Sequence, residues 1–234
     1  MTTTAARPVA ALLALGAVAY SAWVLEVVLV TGLDPVRTYV SELSAADQPF
    51  GGLFRGTDLA AGLLVLAGAL LGLVTTARRP WALIGWGGLA FFGAATAADS
   101  LLPLSCAPTA DPQCAARESG GLVPATHTAH AVSSTLAMTG ALVGLVALTV
   151  AARRYRWWPP LARAGPVLVG LELAATGWTL AAVAAFEAGG GNWALGAGQR
   201  LQVLLVAGWL ATLAYAVARQ SPEREGRRTR RGTR

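Results

Sequence analysis

Long apolar segments separated by short polar ones dominate the chain. An α-helix needs roughly 20 mostly apolar residues to cross a bilayer, and six stretches of the sequence meet this requirement. The pattern therefore predicts an all-α protein, a six-helix transmembrane bundle formed by residues 1–218, with too little remaining chain for a separate soluble domain. The predicted spans are Val9–Val30, Asp58–Thr76, Trp81–Ala98, Ala125–Ala151, Ala162–Phe186 and Gln199–Ala218.

The first apolar stretch has an alternative interpretation as a cleaved signal peptide. It follows a short basic start at Arg7, and the small residues around Ala19 and Ala22 resemble a cleavage site. The apolar run reaches Val30, however, which exceeds the roughly 7–15 residues of a signal-peptide core. The length favours a retained span.

The composition indicates a membrane setting. The chain is 55% hydrophobic and 13% charged, whereas soluble domains carry about 25% charged residues. All 18 basic residues are arginine, which is typical of a GC-rich bacterial genome. The net charge of +6 does not indicate nucleic-acid binding, because the arginines follow the ends of the spans.

The arginine clusters fall at alternate ends of the predicted spans. Cytoplasmic loops carry an excess of basic residues, so we expect a multi-pass protein of the plasma membrane with both termini in the cytoplasm. Residues 219–234 are polar and basic, which predicts a disordered cytoplasmic tail. The clustered arginines are Arg7, Arg78, Arg79, Arg153, Arg154, Arg156, Arg163 and Arg219, with the run from Arg224 to Arg234.

The first outer loop has the pattern of a short amphipathic helix. Asp34 is a suitable N-cap, and proline follows it at the first helical position. Apolar residues then recur at helical spacing up to Leu43, opposite a face with Thr38 and Glu42. We expect a helix from Asp34 to Ser44 that lies along the membrane interface and covers the outer ends of the spans.

The second outer loop contains both cysteines of the chain, Cys106 and Cys114. Thiols on the extracytoplasmic side are oxidised, so a disulfide between them is expected. A metal site shared with the nearby histidines is the alternative, but the cysteine spacing matches no common zinc ligand pair.

Ionisable residues near the bilayer mark candidate functional positions, because a charge at its centre costs about 2.5–3.5 kcal/mol on insertion scales. Asp58 has a structural explanation as an N-cap of the second span. Asp99 lies at a helix C-terminus and therefore needs a cationic partner. Five of the candidates lie near the outer ends of the spans, and the sixth is deep in the fifth span. The six are Glu26, Asp58, Asp99, His127, His130 and Glu172.

His127 and His130 are three residues apart, so both point to one side of their helix. Together with Asp99 they could bind a divalent metal and support metal-assisted hydrolysis, which makes these three residues the catalytic candidates. The alternative is a pair of interfacial histidines that are hydrogen-bonded to the outer loops.

Glu172 is the deepest charged residue. A buried carboxyl can take up protons in a transport cycle, which suggests a proton- or ion-coupled carrier. A protonated carboxyl that is hydrogen-bonded to a neighbouring helix is the structural alternative. Paired broken helices, which transporters use, are not visible in the sequence.

Short segments at the outer side carry a family resemblance. They are Tyr39-Val40-Ser41-Glu42-Leu43, Arg55-Gly56-Thr57-Asp58, Asp99, the His127 and His130 start of the fourth span, and Gln199-Arg200. Over nearly the whole chain the sequence resembles a bacterial membrane family known as domain of unknown function 998. The resemblance implies a topology and no activity. With it, the candidate binding residues are Glu26, Ser41, Glu42, Arg55, Asp58, Glu172, Gln199 and Arg200.

Three hypotheses for the function follow. The first is an outer-facing polar pocket for a lipid or small molecule, with metal-assisted hydrolysis as one form of it. The second is the carrier that uses Glu172, and the third is a non-catalytic partner in membrane assembly. The sequence contains no nucleotide-binding loop, nucleophile elbow or cofactor fingerprint.

Overall fold

The structure, a computed structural model, describes residues 3–219, and this part of the chain is helical without strands. The basic tail predicted from residue 219 lies outside the described residues except for Arg219. Two 3₁₀ helices, Ala22–Val27 and Val40–Ser44, lie between α1 and α2. The α-helices are α1 (Thr3–Tyr20), α2 (Gly51–Thr75), α3 (Pro80–Asp99), α4 (Pro112–Ser119), α5 (Ala125–Arg154), α6 (Pro159–Glu187) and α7 (Leu195–Ala218).

The six predicted spans are confirmed: six segments of residues 3–219 are long and apolar enough to cross a membrane. The first combines α1 with the first 3₁₀ helix and covers Ala5–Val27. The second begins at Gly51 and not at Asp58, so the prediction that Asp58 caps this helix was wrong. Asp58 instead lies about two turns inside α2.

The spans form a closed ring in chain order. Each span packs against the next, and α1 packs against α7 to close the ring. The contact between α3 and α5 is the most extensive, whereas the contact between α5 and α6 is the smallest between ring neighbours. The longer connections, 21–50, 100–124 and 188–194, join the spans at one end of the ring.

Glycines let neighbouring helices of the ring approach closely. A Cβ atom on Gly93 of α3 would lie 2.5 Å from the backbone nitrogen of Leu66 in α2, and one on Gly62 would lie 2.6 Å from the backbone nitrogen of Ala97. Only a residue without a side chain is compatible with such backbone contact. Small residues therefore serve helix packing here.

The end of the bundle away from the longer connections is tightly packed around tryptophans. Trp86 and Trp158 are buried and meet edge to face, with ring centroids 6.0 Å apart. Trp209 donates a hydrogen bond from Nε1 to Thr149 Oγ1 at 3.2 Å. We call this region the packed end.

The first connection contains a short helix, but the expected amphipathic helix from Asp34 to Ser44 is broken at Tyr39. In a continuous helix the Val40 N–H would donate to the Val36 carbonyl. Here that N–H donates to Gln199 Oε1 at 2.6 Å, and the Val36 carbonyl accepts from the Ala197 N–H at 3.2 Å. The start of α7 thus replaces the local hydrogen bond.

Two of the side chains expected on the polar face of that helix are buried. Asp34 caps a single turn by accepting from the Val36 N–H at 2.8 Å, and only Val40–Ser44 is helical. Thr38 and Glu42 are buried. The segment is therefore a covering layer over the bundle and not an interfacial helix with one polar face.

Candidate functional site

A cavity of about 360 Å³ lies inside the ring at the end with the longer connections. All six spans contribute to its wall, and the second 3₁₀ helix covers it. We call this region the cavity end. The polar and aromatic side chains that line the cavity include Tyr20, Trp23, Ser41, Asp58, Thr96, Asp99, His130, Ser134, Thr176, Thr179, Gln199 and Gln202.

Asp99, at the end of α3, is held by three side chains of α5. Ser133 donates a hydrogen bond to Oδ1, and Ser134 donates to Oδ2 at 3.0 Å. His130 Nδ1 lies 3.2 Å from Oδ1. The sequence predicts that Asp99 needs a cationic partner, and His130 lies where such a partner would bind. The carboxylate is therefore well satisfied within the protein.

His130 has a defined tautomer in this arrangement. Nδ1 lies 3.0 Å from the Leu102 carbonyl oxygen, which can only accept, so the hydrogen is on Nδ1. Nε2 faces Ser134 Oγ at 3.3 Å. His130 therefore joins the end of α3 to α5 at the cavity wall.

His127 points elsewhere. Its Nδ1 accepts from the Ser105 N–H at 3.1 Å, and Nε2 lies 3.3 Å from Glu118 Oε1. The Nδ1 lone pair that a metal would use is thus occupied by the connection 100–124. Within residues 3–219 no group of three His, Cys, Asp or Glu side chains lies close enough to hold a metal ion. The structure does not bring His127, His130 and Asp99 together as a metal ligand set.

Asp58 also lines the cavity, and its situation differs from that of Asp99. Within the described residues its carboxylate has no salt bridge, and no protein group donates a hydrogen bond to it. Asp99 is near enough to repel it electrostatically. The cavity therefore holds two carboxylates, of which one is satisfied and the other is not.

Some residues that line the same cavity have buried polar atoms without a hydrogen-bond partner in the described chain. Of seven buried side-chain nitrogen and oxygen atoms without a partner in the described chain, three belong to lining residues, namely Trp23 Nε1, Thr96 Oγ1 and Thr179 Oγ1. A fourth is Oε2 of Glu172, and the other three lie in Thr76, Trp86 and Trp158. Buried polar groups are normally hydrogen-bonded, whereas three residues of the cavity wall each hold a buried polar atom without a partner in the described chain.

Glu172 is fully buried, with 0% of its surface exposed. Its Oε1 accepts from Thr176 Oγ1 at 3.4 Å, and Thr176 accepts from Gln202 Nε2 at 2.9 Å. Thr176 and Gln202 line the cavity, whereas Glu172 does not. This carboxyl therefore lies behind the cavity wall, one side chain away from it.

A buried ion pair closes the ring at the cavity end. Arg200 of α7 donates from Nε and Nη2 to the two carboxylate oxygens of Glu26, each at 2.7 Å. Arg200 also donates to the Thr38 carbonyl at 2.8 Å, and Gln199 binds the Val40 N–H. These two neighbouring residues of α7 hold the first connection over the cavity.

A second layer lies above the second 3₁₀ helix. Arg55 donates to the Ser44 carbonyl at 2.7 Å, so it binds the backbone and not a carboxylate. Glu42 is fully buried and accepts from the Thr109 N–H at 2.7 Å and from the Thr109 hydroxyl at 2.5 Å. Burial raises the pKa of Glu42, and the Thr109 hydrogen bonds act in the opposite direction.

The loop that the disulfide closes forms part of this second layer. Cys106 and Cys114 form the predicted disulfide, with sulfur atoms 2.00 Å apart. Thr109 lies between the two cysteines in the chain. The loop therefore reaches Glu42, and through it the helix that covers the cavity.

The cavity is open between α5 and α6. Lining residues of α2 and α3, such as Phe54 and Thr96, are buried. In contrast, Thr135 and Thr139 of α5 are exposed, and Leu180 of α6 is 65% exposed, although all three line the cavity. These two helices also have the smallest contact in the ring. The opening therefore lies on the side of the bundle.

The candidate residues thus separate into two groups. Asp58, Asp99, His130, Ser41 and Gln199 meet at the cavity. The others support its surroundings. These are Glu26 with Arg200, Arg55 and Glu42 in the covering layers, His127 of α5, which binds the connection 100–124, and Glu172 behind the wall.

Several residues at the cavity and around Asp99 are not predicted from the sequence. Ser133 and Ser134 follow His130 at helical spacing, so the same face of α5 would have indicated them. Tyr20 and Trp23 give no such signal, because aromatic residues at the end of a span are common in the membrane interface.

A ring of six membrane spans around a polar cavity defines a multi-pass integral membrane protein. The chain belongs to the family described as protein of unknown function (DUF998), which matches residues 13–216. This match confirms the resemblance seen in the sequence. No curated protein and no solved structure matches the chain.

Proposed function

We propose that the protein binds a lipid or small molecule in the cavity, and that the cavity end faces the outside of the plasma membrane. The cavity itself carries this proposal. Its volume of about 360 Å³ lies within the range of about 300–1,000 Å³ that is usual for ligand sites. An apolar wall with a few convergent polar groups is also the usual composition of such sites.

Two features support the outward orientation. The arginine clusters, such as Arg78 and Arg79, fall at the packed end, where the positive-inside rule favours the cytoplasm. The Cys106–Cys114 disulfide lies at the cavity end, and disulfides persist mainly outside the cytoplasm.

Co-purification tests the binding proposal. Ala137 of α5 lines the cavity and is buried, so Ala137→Phe should fill it, whereas Ala131 of the same helix is exposed. Extraction and mass spectrometry should find a molecule with the wild type and with Ala131→Phe but not with Ala137→Phe. Size-exclusion chromatography checks that both variants fold. An identical set of bound molecules in all three proteins would reject the proposal.

Cysteine labelling tests the orientation. Asp47 lies in the first connection and Arg78 at the packed end, and both are exposed. On intact cells, a membrane-impermeant maleimide should label Asp47→Cys, whereas Arg78→Cys should react only after permeabilisation. The reverse result would reverse the proposed topology.

A proton-coupled carrier is the second candidate function, because of one observation on Glu172. This carboxyl is fully buried with Oε2 unpaired, and Thr176 connects it to the cavity. In proteoliposomes, Glu172→Gln should abolish uptake that depends on a proton gradient while expression stays normal. Unchanged uptake by this variant would remove Glu172 from any such role.

A further inference from the structure

The charge of the cavity restricts what can bind there. Asp58 and Asp99 are both carboxylates of the lining, and His130 is the only basic side chain among the lining residues of the described chain. His130 is already engaged with Asp99 and Leu102. Asp58 is half-buried in the cavity wall, a carboxylate away from water is stable when it is paired, and no group of residues 3–219 pairs with it. A cationic ligand group would supply this partner.

The aromatic wall agrees with a cation. Tyr20 and Trp23 line the same cavity as Asp58. Aromatic faces attract ammonium groups, and sites of this composition recognise organic cations. The cavity is also much larger than a single inorganic ion.

The unpaired hydroxyls restrict the ligand further. Threonine inside a helix usually donates to the carbonyl one turn earlier, as Thr135 and Thr139 do in α5. Thr96 and Thr179 do not, although they are only 6% and 7% exposed. Together with Trp23 Nε1 they are three unpaired donors of residues that line the cavity, although each of these atoms is itself buried in the wall. A ligand that carries acceptor oxygens as well as a cation would pair with them after small side-chain rotations.

The opening between α5 and α6 indicates where the ligand comes from. Thr139 and Leu180 join the cavity to the surface that contacts the bilayer. A ligand that enters here is dissolved in the membrane, with its apolar part between the two helices and its polar part inside the ring.

Resting on the proposed binding function, we infer that the cavity takes a lipid whose headgroup carries an ammonium and acceptor oxygens, with Asp58 holding the ammonium and the lipid entering between α5 and α6. A zwitterionic phospholipid head has this chemistry. The same ammonium could also belong to a free amine, and the experiment separates these two sources.

Photo-crosslinking in nanodiscs tests the inference. Photoreactive phosphatidylethanolamine and phosphatidylglycerol with identical acyl chains differ only in the headgroup. With the full chain, the ethanolamine lipid should give at least tenfold more adducts at cavity residues and at residues of the α5–α6 opening. Asp58→Asn should reduce this labelling about tenfold, whereas Asp58→Glu, which restores the charge, should retain most of it.

Asp47→Asn is the matched control, because Asp47 is exposed in the first connection, outside the cavity. It should label like the wild type. Thermal unfolding of every variant separates loss of binding from loss of folding.

Each other outcome has a distinct meaning. Equal labelling of the cavity by both lipids overturns the ammonium assignment but leaves the proposed binding function intact. Binding of free ethanolamine that requires Asp58, without cavity labelling by either lipid, overturns the lipid assignment. If neither lipid nor free ethanolamine binds, the whole inference is overturned, and the co-purification experiment then decides the proposed function separately.

Discussion

The two ends of the bundle are built from the same six helices, but one end is closely packed and the other encloses a cavity. At the packed end, glycines and tryptophans fill the interior, and Gly85 of α3 touches Leu148 of α5. At the cavity end the helices separate, and polar side chains face an interior space. Close packing is the normal state of a protein interior, so the cavity is the exceptional part of the molecule.

The two ends are stabilised by different kinds of interaction. The packed end depends on shape, because Gly85 and Leu148 contact each other without polar groups. The cavity end depends on hydrogen bonds and charge between distant segments, such as Glu26 with Arg200 and Glu42 with Thr109. An added methyl group should therefore matter at the packed end, and a lost charge at the cavity end.

The largest effect is expected at the Glu26–Arg200 pair. Arg200→Ala leaves Glu26 buried without a cation, which should cost about 3–5 kcal/mol. Equilibrium unfolding in micelles measures the free energy, and hydrogen exchange should rise around Val40–Ser44 before it rises in the packed end. The control is Arg37→Ala, whose pair with Asp34 is exposed and should contribute less than about 1 kcal/mol. Equal losses in the two variants would contradict a buried pair.

Loss of the disulfide should have the second-largest effect on stability. Replacing Cys106 and Cys114, which are eight residues apart, with serine should cost about 2–3 kcal/mol in the chain-entropy model. Thr109 should also be held less firmly at Glu42, because its loop is no longer closed. Thermal unfolding of the wild type with and without reductant measures the effect, and the double variant should not respond to reductant. A wild type that is insensitive to reductant would argue against this bond.

An added methyl group tests the close packing of the packed end. A Cβ on Gly85 would lie 2.5 Å from Leu148 Cγ and 2.8 Å from the Leu148 nitrogen, so Gly85→Ala should cost about 1–3 kcal/mol by overpacking. Gly87 in the same helix has nothing within 4 Å of the added atom. Gly87→Ala should be neutral or stabilising by up to about 1 kcal/mol. Unfolding midpoints of the two variants that coincide would undermine the packing argument.

The smallest effect concerns the pH dependence of the covering layer. Burial raises the pKa of Glu42 above its ordinary value of 4.5, so the folded protein binds this proton more tightly than the unfolded chain does. Its contribution to stability is thus fully present below pH 4.5 and is lost as the pH rises from there through the raised pKa. The difference in stability between wild type and Glu42→Gln, measured from pH 4.5 to pH 8, should fall with pH. A constant difference would show that Glu42 is charged throughout.

The sequence predicts the features that depend on local pattern. Hydropathy identifies the six spans. The position of Cys106 and Cys114 in a loop between spans is enough to predict the disulfide. Each of these properties belongs to one segment of chain or to residues that are close in sequence.

The rest depends on partners that only the ring brings together. Asp58 is in a suitable context for an N-cap, but Gly51 begins the helix earlier, and the cavity position becomes visible only when the other spans surround it. The helix expected from Asp34 is interrupted because α7 binds the Val36 carbonyl and the Val40 N–H. His127 and His130 share a helix side, yet different segments bind each ring.

The Glu26–Arg200 pair has a consequence for the order of synthesis. Its two residues lie 174 positions apart, so at about 5–20 residues per second the ribosome needs ~10–35 s to make Arg200 after Glu26. During this time the nascent chain holds an acidic residue near the bilayer without its partner. The first span should therefore stay loosely placed until the last one arrives, and a chain truncated before α7 should be recognised by membrane proteases as incomplete.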